Sequence, residues 1–282
     1  MTTIIGCDFT SRPTRSKPIT FAVASVKDNL DISDLKINRL LKIESLNEFE
    51  KLLTEGSNFL SAPWVGGFDM PFGLPRELVV ALNWPINWLE CIKHYTSLER
   101  SEIREIFRDF CSKRPVGSKF AHRSTDLIAK SSPSMKWVNP PVAYMLHAGL
   151  PVLINAQVTL PGLFKGEKTK VGLEAYPGQL AREIVAHQSY KSDDKSKQNQ
   201  DRLKAREKII KALKLGGHSL GIKVTLSKTL ERELIDDASG DSLDAVLCAV
   251  QAAWGLKQKQ LGHKLFGLNP KMDNLEGWIV TC

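Results

Sequence analysis

Five carboxylates stand where chemistry could use them: Asp8, Asp69, Glu174, Asp241 and Asp244. Asp8 closes the apolar run Thr3-Ile4-Ile5-Gly6-Cys7-Asp8, which reads as a buried strand delivering an acid at its end. Asp69 closes Trp64-Val65-Gly66-Gly67-Phe68-Asp69, and the prolines and glycine of Met70-Pro71-Phe72-Gly73-Leu74-Pro75 stop that strand at once. Glu174 ends a third short strand that is broken by Pro177, and Asp241 and Asp244, three residues apart, share a face at the start of an alanine-rich helix. If these strands are neighbours, the acids converge at one edge of a sheet. Two unit charges about 4 Å apart repel by roughly 4 kcal/mol at an effective dielectric near 20, so such a cluster calls for cations. Oxygen ligands without histidine or thiolate select Mg2+ or Mn2+ over zinc. Two such ions would activate a water and stabilise the leaving oxygen of an in-line phosphoryl displacement. Each acid also has a quieter reading. A strand-end aspartate can cap a turn, and Asp241 with Asp244 can supply the N-cap and N3 positions of a capping box.

The elements that must position these groups follow in order along the chain. After the first strand and the polar turn Phe9 to Ser16, an apolar strand spans Ile19 to Val26 and a third spans Ile37 to Ile43. Three successive strands and then a helix over Leu46 to Leu53 suggest an antiparallel meander opening an α/β sheet. The Asp69 strand is the fourth. From Arg76 to Leu150 the pattern turns helical, with amphipathic stretches at Leu78–Leu82, Trp88–Tyr95 and Ile103–Phe110 and a basic loop from Lys113 to Asp126. That stretch reads as an insertion, not a second domain, within a single domain over residues 1–282. The strand Lys170 to Gly178 is the fifth, followed by a helix over Gln179 to Ala186. Lys191 to Lys214 is polar and basic, ending in an amphipathic helix at Leu203–Leu215 whose charges suit a solvated face. The helix Asp241 to Gly255 is apolar on nearly every side, as expected of one packed against a sheet, and Glu276 to Val280 reads as a last strand or extended segment.

A length of 282 residues with 42% hydrophobic and 25% charged residues suits a globular chain with a large core. The formal charge of +8 favours a polyanionic partner, nucleic acid foremost. Five dispersed cysteines with no CxxC pair argue against a disulfide framework or a zinc knuckle. No signal-peptide pattern precedes the first strand and no apolar run approaches membrane length, so a cytoplasmic protein is expected.

The order of Asp8, Asp69 and a helix bearing Asp241 and Asp244 resembles the ribonuclease H-like superfamily, with the RuvC-type resolvases nearest in spacing. More narrowly, Gly6-Cys7-Asp8, Phe68-Asp69-Met70-Pro71-Phe72-Gly73-Leu74-Pro75, Glu174-Ala175-Tyr176-Pro177, Asp241-Ser242-Leu243-Asp244-Ala245 and Glu276-Gly277-Trp278-Ile279 resemble the predicted-nuclease family catalogued as domain of unknown function 429. The resemblance implies a mixed five-stranded sheet of order 3-2-1-4-5 flanked by helices. It also implies metal-dependent cleavage of DNA or RNA, with Asp8 bridging two ions, Asp69 and Asp244 each holding one, and Glu174 or Asp241 completing the site. The sequence departs from the superfamily in carrying Glu174 on the fifth strand, which leaves that residue as ligand, supporting partner or structural acceptor. Arg123, Lys119 and His122 are candidate phosphate contacts in the basic loop. Two other readings stay open: a basic nucleic-acid-binding or partner module without catalysis, and a nucleotide-binding phosphotransferase, since Gly6 to Ser11 faintly resembles the phosphate turn of sugar kinases and actin-like ATPases.

Overall fold

In the computed structural model, which describes residues 2–26 and 32–282, seven strands form one mixed sheet with helices on both faces. The first three strands, β1 (Thr3–Asp8), β2 (Ile19–Val26) and β3 (Asp34–Ile43), are the antiparallel meander, and helix α1 (Leu46–Glu55) leads to β4 (Trp64–Asp69). Ser45 caps α1 by accepting from the Glu48 amide, and Gly56 closes it at a φ of 73°. The insertion carries α2 (Arg76–Ala81), α3 (Trp88–Ser97), α4 (Arg100–Ser112), α5 (Ser124–Ala129) and α6 (Val142–Asn155). Then come β5 (Val158–Thr159), β6 (Glu167–Glu174), α7 (Pro177–Val185), α8 (Gln200–Leu215), β7 (Lys223–Thr225), α9 (Lys228–Asp236) and α10 (Asp241–Gln260).

The expected five-stranded order 3-2-1-4-5 is found as β3-β2-β1-β4-β6, but the five-strand expectation is corrected to a seven-stranded sheet of order β5-β6-β4-β1-β2-β3-β7. Two strands of two and three residues, too short to show any alternation, extend the sheet at its edges. The insertion also differs from expectation: α6 carries it past residue 150, and α5 starts inside the stretch expected to be a basic loop. The tail does not form a strand of its own. Ile279 makes a single parallel bridge to Glu174, and the Val280 amide donates to the Glu174 carbonyl at 2.9 Å.

Side-chain alternation along β1 and β4 divides the molecule into two cores. Ile5, Cys7 and Phe68 pack with α1 and the insertion helices, while Ile4, Val65, Ala22 and Ala24 pack beneath α7 to α10. Helix α10 lies across β1, β4 and β2 at very close range. A Cβ on Gly6 would sit 1.9 Å from the Ala245 carbonyl, and one on Gly67 would sit 2.3 Å from the Cys248 carbonyl. Only hydrogen at those two positions lets helix backbone rest on strand backbone. Since Asp8 and Asp69 each lie two residues beyond one of these glycines, both point toward α10. No helix among the described residues is long and apolar enough to cross a membrane.

Candidate metal centre

The parallel pairing of β1 with β4 sets Asp8 directly beside Asp69. The first turn of α10 brings Asp244 over both, and one carboxylate oxygen from each of the three lies within 4.8 Å of the others. Asp244 is fully buried, whereas Asp8 and Asp69 are partly exposed to a cleft of about 590 Å³. Lys17, Lys191 and Asp241 also line that cleft.

The start of α10 is not the capping box that Asp241 and Asp244 could have formed. Gly240, at a φ of 79°, occupies the N-cap without any side-chain bond, and Asp237 closes the turn from outside by accepting from the Ser242 amide at 2.9 Å. Lys42 ties the same turn to the sheet, donating at 3.0 Å to both Thr20 Oγ1 and Ser242 Oγ. Relieved of capping, Asp244 accepts from the Tyr190 hydroxyl and pairs with the Lys191 ammonium. Asp241 sits at the rim of the cleft, outside the group of three.

Electrostatics follow from this crowding. Burial first, and then the neighbouring Asp244, push the Asp8 carboxyl well above the usual carboxylate range, with Lys191 pulling the other way. The same two causes raise Asp69 to about 7. Asp241 is raised by burial, against the pull of Lys17. Burial pulls the Lys191 ammonium down, but Asp244, Tyr190 and Asp8 outweigh it and hold it charged. The neighbouring thiols, Cys7 and Cys248, are raised well above the ordinary cysteine value by burial and by these aspartates, so neither offers a thiolate. What remains is a set of hard oxygen donors whose mutual repulsion a divalent cation would relieve. Such a set fits Mg2+ or Mn2+.

Glu174 does not join the other acids. In the β4–β6 register it stands opposite Phe68, not Asp69, so it projects from the opposite face of the sheet. There it accepts from Arg123 Nη2 at 2.6 Å, from Arg123 Nη1 at 2.9 Å and from the Phe72 amide at 2.9 Å. Burial raises its carboxyl, with Arg123 opposing. Arg123 is likewise corrected. Only 2% exposed, it spends its remaining donors on Asp126 and the Glu276 carbonyl, so its guanidinium is committed within the protein. Lys119 and His122 are exposed, but neither lines the cleft. Glu276 is structural too: its carboxylate accepts from the first amides of α2 and α5, Arg76 at 2.9 Å and Ser124 at 3.0 Å.

Tyr190 and Lys191 are the site residues that sequence reasoning missed. Two arginines of α8, a helix expected to be merely solvated, hold that segment in place. Arg206 donates to the Tyr190 carbonyl at 2.8 Å, and Arg202 to the Lys191 carbonyl at 2.7 Å. Nothing in the spacing around Tyr190 and Lys191 marks them. Comparison with models of known protein families, with curated proteins and with solved structures finds no match for this chain.

Proposed function

We propose that the protein is a ribonuclease H-like, metal-dependent nuclease that hydrolyses phosphodiester bonds of DNA or RNA at Asp8, Asp69 and Asp244. The single observation that carries this reading is the convergence of three acids from two adjacent strand ends and one helix, with Asp8 and Asp69 open to a cleft. When bound, one or two divalent ions would activate the attacking water and stabilise the departing oxygen. The chain's own groups do the rest. Asp8 and Asp69 present their oxygens to the cleft from the rigid centre of the sheet. Tyr190 fixes the orientation of Asp244 through its hydroxyl. The Lys191 ammonium reaches the cleft beside the acids, where it can meet a phosphate oxygen as negative charge builds there.

The test is a panel of labelled DNA and RNA oligonucleotides, single- and double-stranded, incubated with Mn2+ or Mg2+. Wild type should cleave at least one member, and Asp8→Asn should lose more than about 100-fold of that rate, beyond the usual effect of an outer-shell change. A wild-type protein inert across the panel, or cleavage that survives Asp8→Asn, would refute the assignment. The Lys191–Asp244 pair supports a second reading, in which the lysine is a permanent internal cation and the module binds without catalysis. Lys191→Met separates the two. A metal site freed of a competing positive charge gains Mn2+ affinity, by about tenfold or more, whereas a structural pair leaves Mn2+ binding absent in both proteins.

A further inference from the structure

A second cavity, of about 720 Å³, adjoins the acidic cleft. The two share Thr10, Ser11 and Pro141 in their walls, so they are immediate neighbours on the surface. The new cavity is lined by four arginines, Arg12, Arg100, Arg104 and Arg108, against one acid, Glu105. Three of the arginines come from α4 at successive four-residue steps, which places them on one face of the helix about 6 Å apart along its axis. The fourth comes from the β1–β2 turn, four residues after Asp8. The two sources are locked together: Arg100 Nη2 donates to the Ser11 carbonyl at 2.8 Å, and its guanidinium lies over the Tyr144 ring. Burial and the neighbouring Arg12 hold the Arg100 guanidinium below its ordinary value. Arg12, Arg104 and Arg108 are exposed and make no ion pair among the described residues. A row of unpaired like charges is an electrostatic cost to the fold unless something anionic meets it.

We infer that α4 is a backbone-tracking element, and that Arg12, Arg104 and Arg108 hold successive phosphates of a nucleic-acid strand whose scissile bond lies at the acids. This rests on the nuclease reading for its direction, since a strand along α4 leads through Thr10 and Ser11 to Asp8. The spacing along the helix is of the order of that between neighbouring phosphates of one strand. Planar guanidinium groups grip phosphate oxygens in pairs while reading no base, so the track supplies affinity and register without sequence preference. Arg100, whose donors and ring contact are already used within the protein, positions the row.

The test separates binding from cleavage. Fluorescence anisotropy of a labelled single strand, and of the matching duplex, is recorded in EDTA for wild type, Arg104→Ala/Arg108→Ala and the charge-retaining Arg104→Lys/Arg108→Lys. Lys228→Ala/Arg232→Ala, on a separate groove formed by α9, serves as a control. The alanine pair should weaken binding by on the order of tenfold or more at low salt. It should also lower the magnitude of the log Kd against log salt slope by about 0.7–0.9 per arginine. The lysine pair should keep the slope, and the control should change neither quantity. Unchanged affinity and slope in the alanine pair would overturn the inference, as would no binding by wild type or equal competition by polyglutamate of matched charge. Metal-dependent cleavage is assayed separately with Asp8→Asn. Loss of the nuclease reading therefore appears as absent cleavage with binding intact, and loss of the track as intact cleavage with unaltered binding in the alanine pair.

Discussion

Asp69 ties the stability of the metal-free protein to pH in a direction opposite to that of an ordinary paired carboxylate. Burial and Asp244 raise its folded pKa from 3.8 to about 7. Between those values the folded state holds a proton that the unfolded chain has released, so stability must fall as pH rises. At about 1.4 kcal/mol per unit, three units amount to up to about 4 kcal/mol, fully present near pH 4 and gone above about pH 7. Other groups titrate nearby. His147 and His218, lowered by burial, act in the opposite sense as pH falls through their range, and Asp126, Asp237 and Asp273, held low in their salt bridges and turns, matter only in more acidic solution. Asp8, Asp241 and Glu174, also raised by burial, act in the same sense as Asp69. Asp69→Asn shares the remote groups, so the difference between the two proteins reports Asp69 together with its electrostatic coupling to Asp8 and Glu174. Urea unfolding in EDTA at pH 5, 6, 7 and 8 should show wild type losing stability relative to Asp69→Asn by up to about 3 kcal/mol across the series, because only the two units between pH 5 and the folded pKa are sampled. Mn2+ should reverse the trend at pH 8, where it meets no competing proton; at 100 times its Kd it would add about 2.7 kcal/mol to wild type and nothing to the variant. A wild type whose stability relative to Asp69→Asn holds steady or rises from pH 5 to pH 8 would refute the assigned environment of Asp69.

Two further outcomes test how the site is held. Glu174→Gln should destabilise the fold by roughly 1–3 kcal/mol in denaturant titration, because buried Arg123 loses one of its two carboxylate partners and keeps only Asp126, yet leave the Mn2+ affinity of the folded protein unchanged; a lost metal site would return Glu174 to the first rank of ligands. Gly6→Ala should cost more than the roughly 1–3 kcal/mol of ordinary overpacking, since its Cβ meets the Ala245 and Ala249 backbone, and it should weaken Mn2+ binding by moving Asp244 off the strands, as calorimetry would register.

The reason the sequence located three of these acids and misplaced a fourth lies in the sheet. The spelling Gly-x-acid occurs at three of the strand ends, Gly6-Cys7-Asp8, Gly67-Phe68-Asp69 and Gly172-Leu173-Glu174, each with prolines downstream. Local signals of that kind fix where a strand stops, and they served for Asp8, Asp69 and Glu174 alike. They do not fix which way the last side chain points, because that depends on the register with a partner far away in the chain. Gly6 and Gly67 meet the backbone of α10, whereas Gly172 meets the side chains of Leu160, Val158 and Phe68 on the other face. Glu174 therefore turns to Arg123, which in sequence looked like one more charge of a basic loop. The helix start misled for a related reason: Asp237, outside the motif, took the capping role and freed Asp244 for Tyr190 and Lys191. A pattern of acids in sequence thus marks the ends of elements, and which of those acids become a site is decided by the one long contact that puts α10 on Gly6 and Gly67.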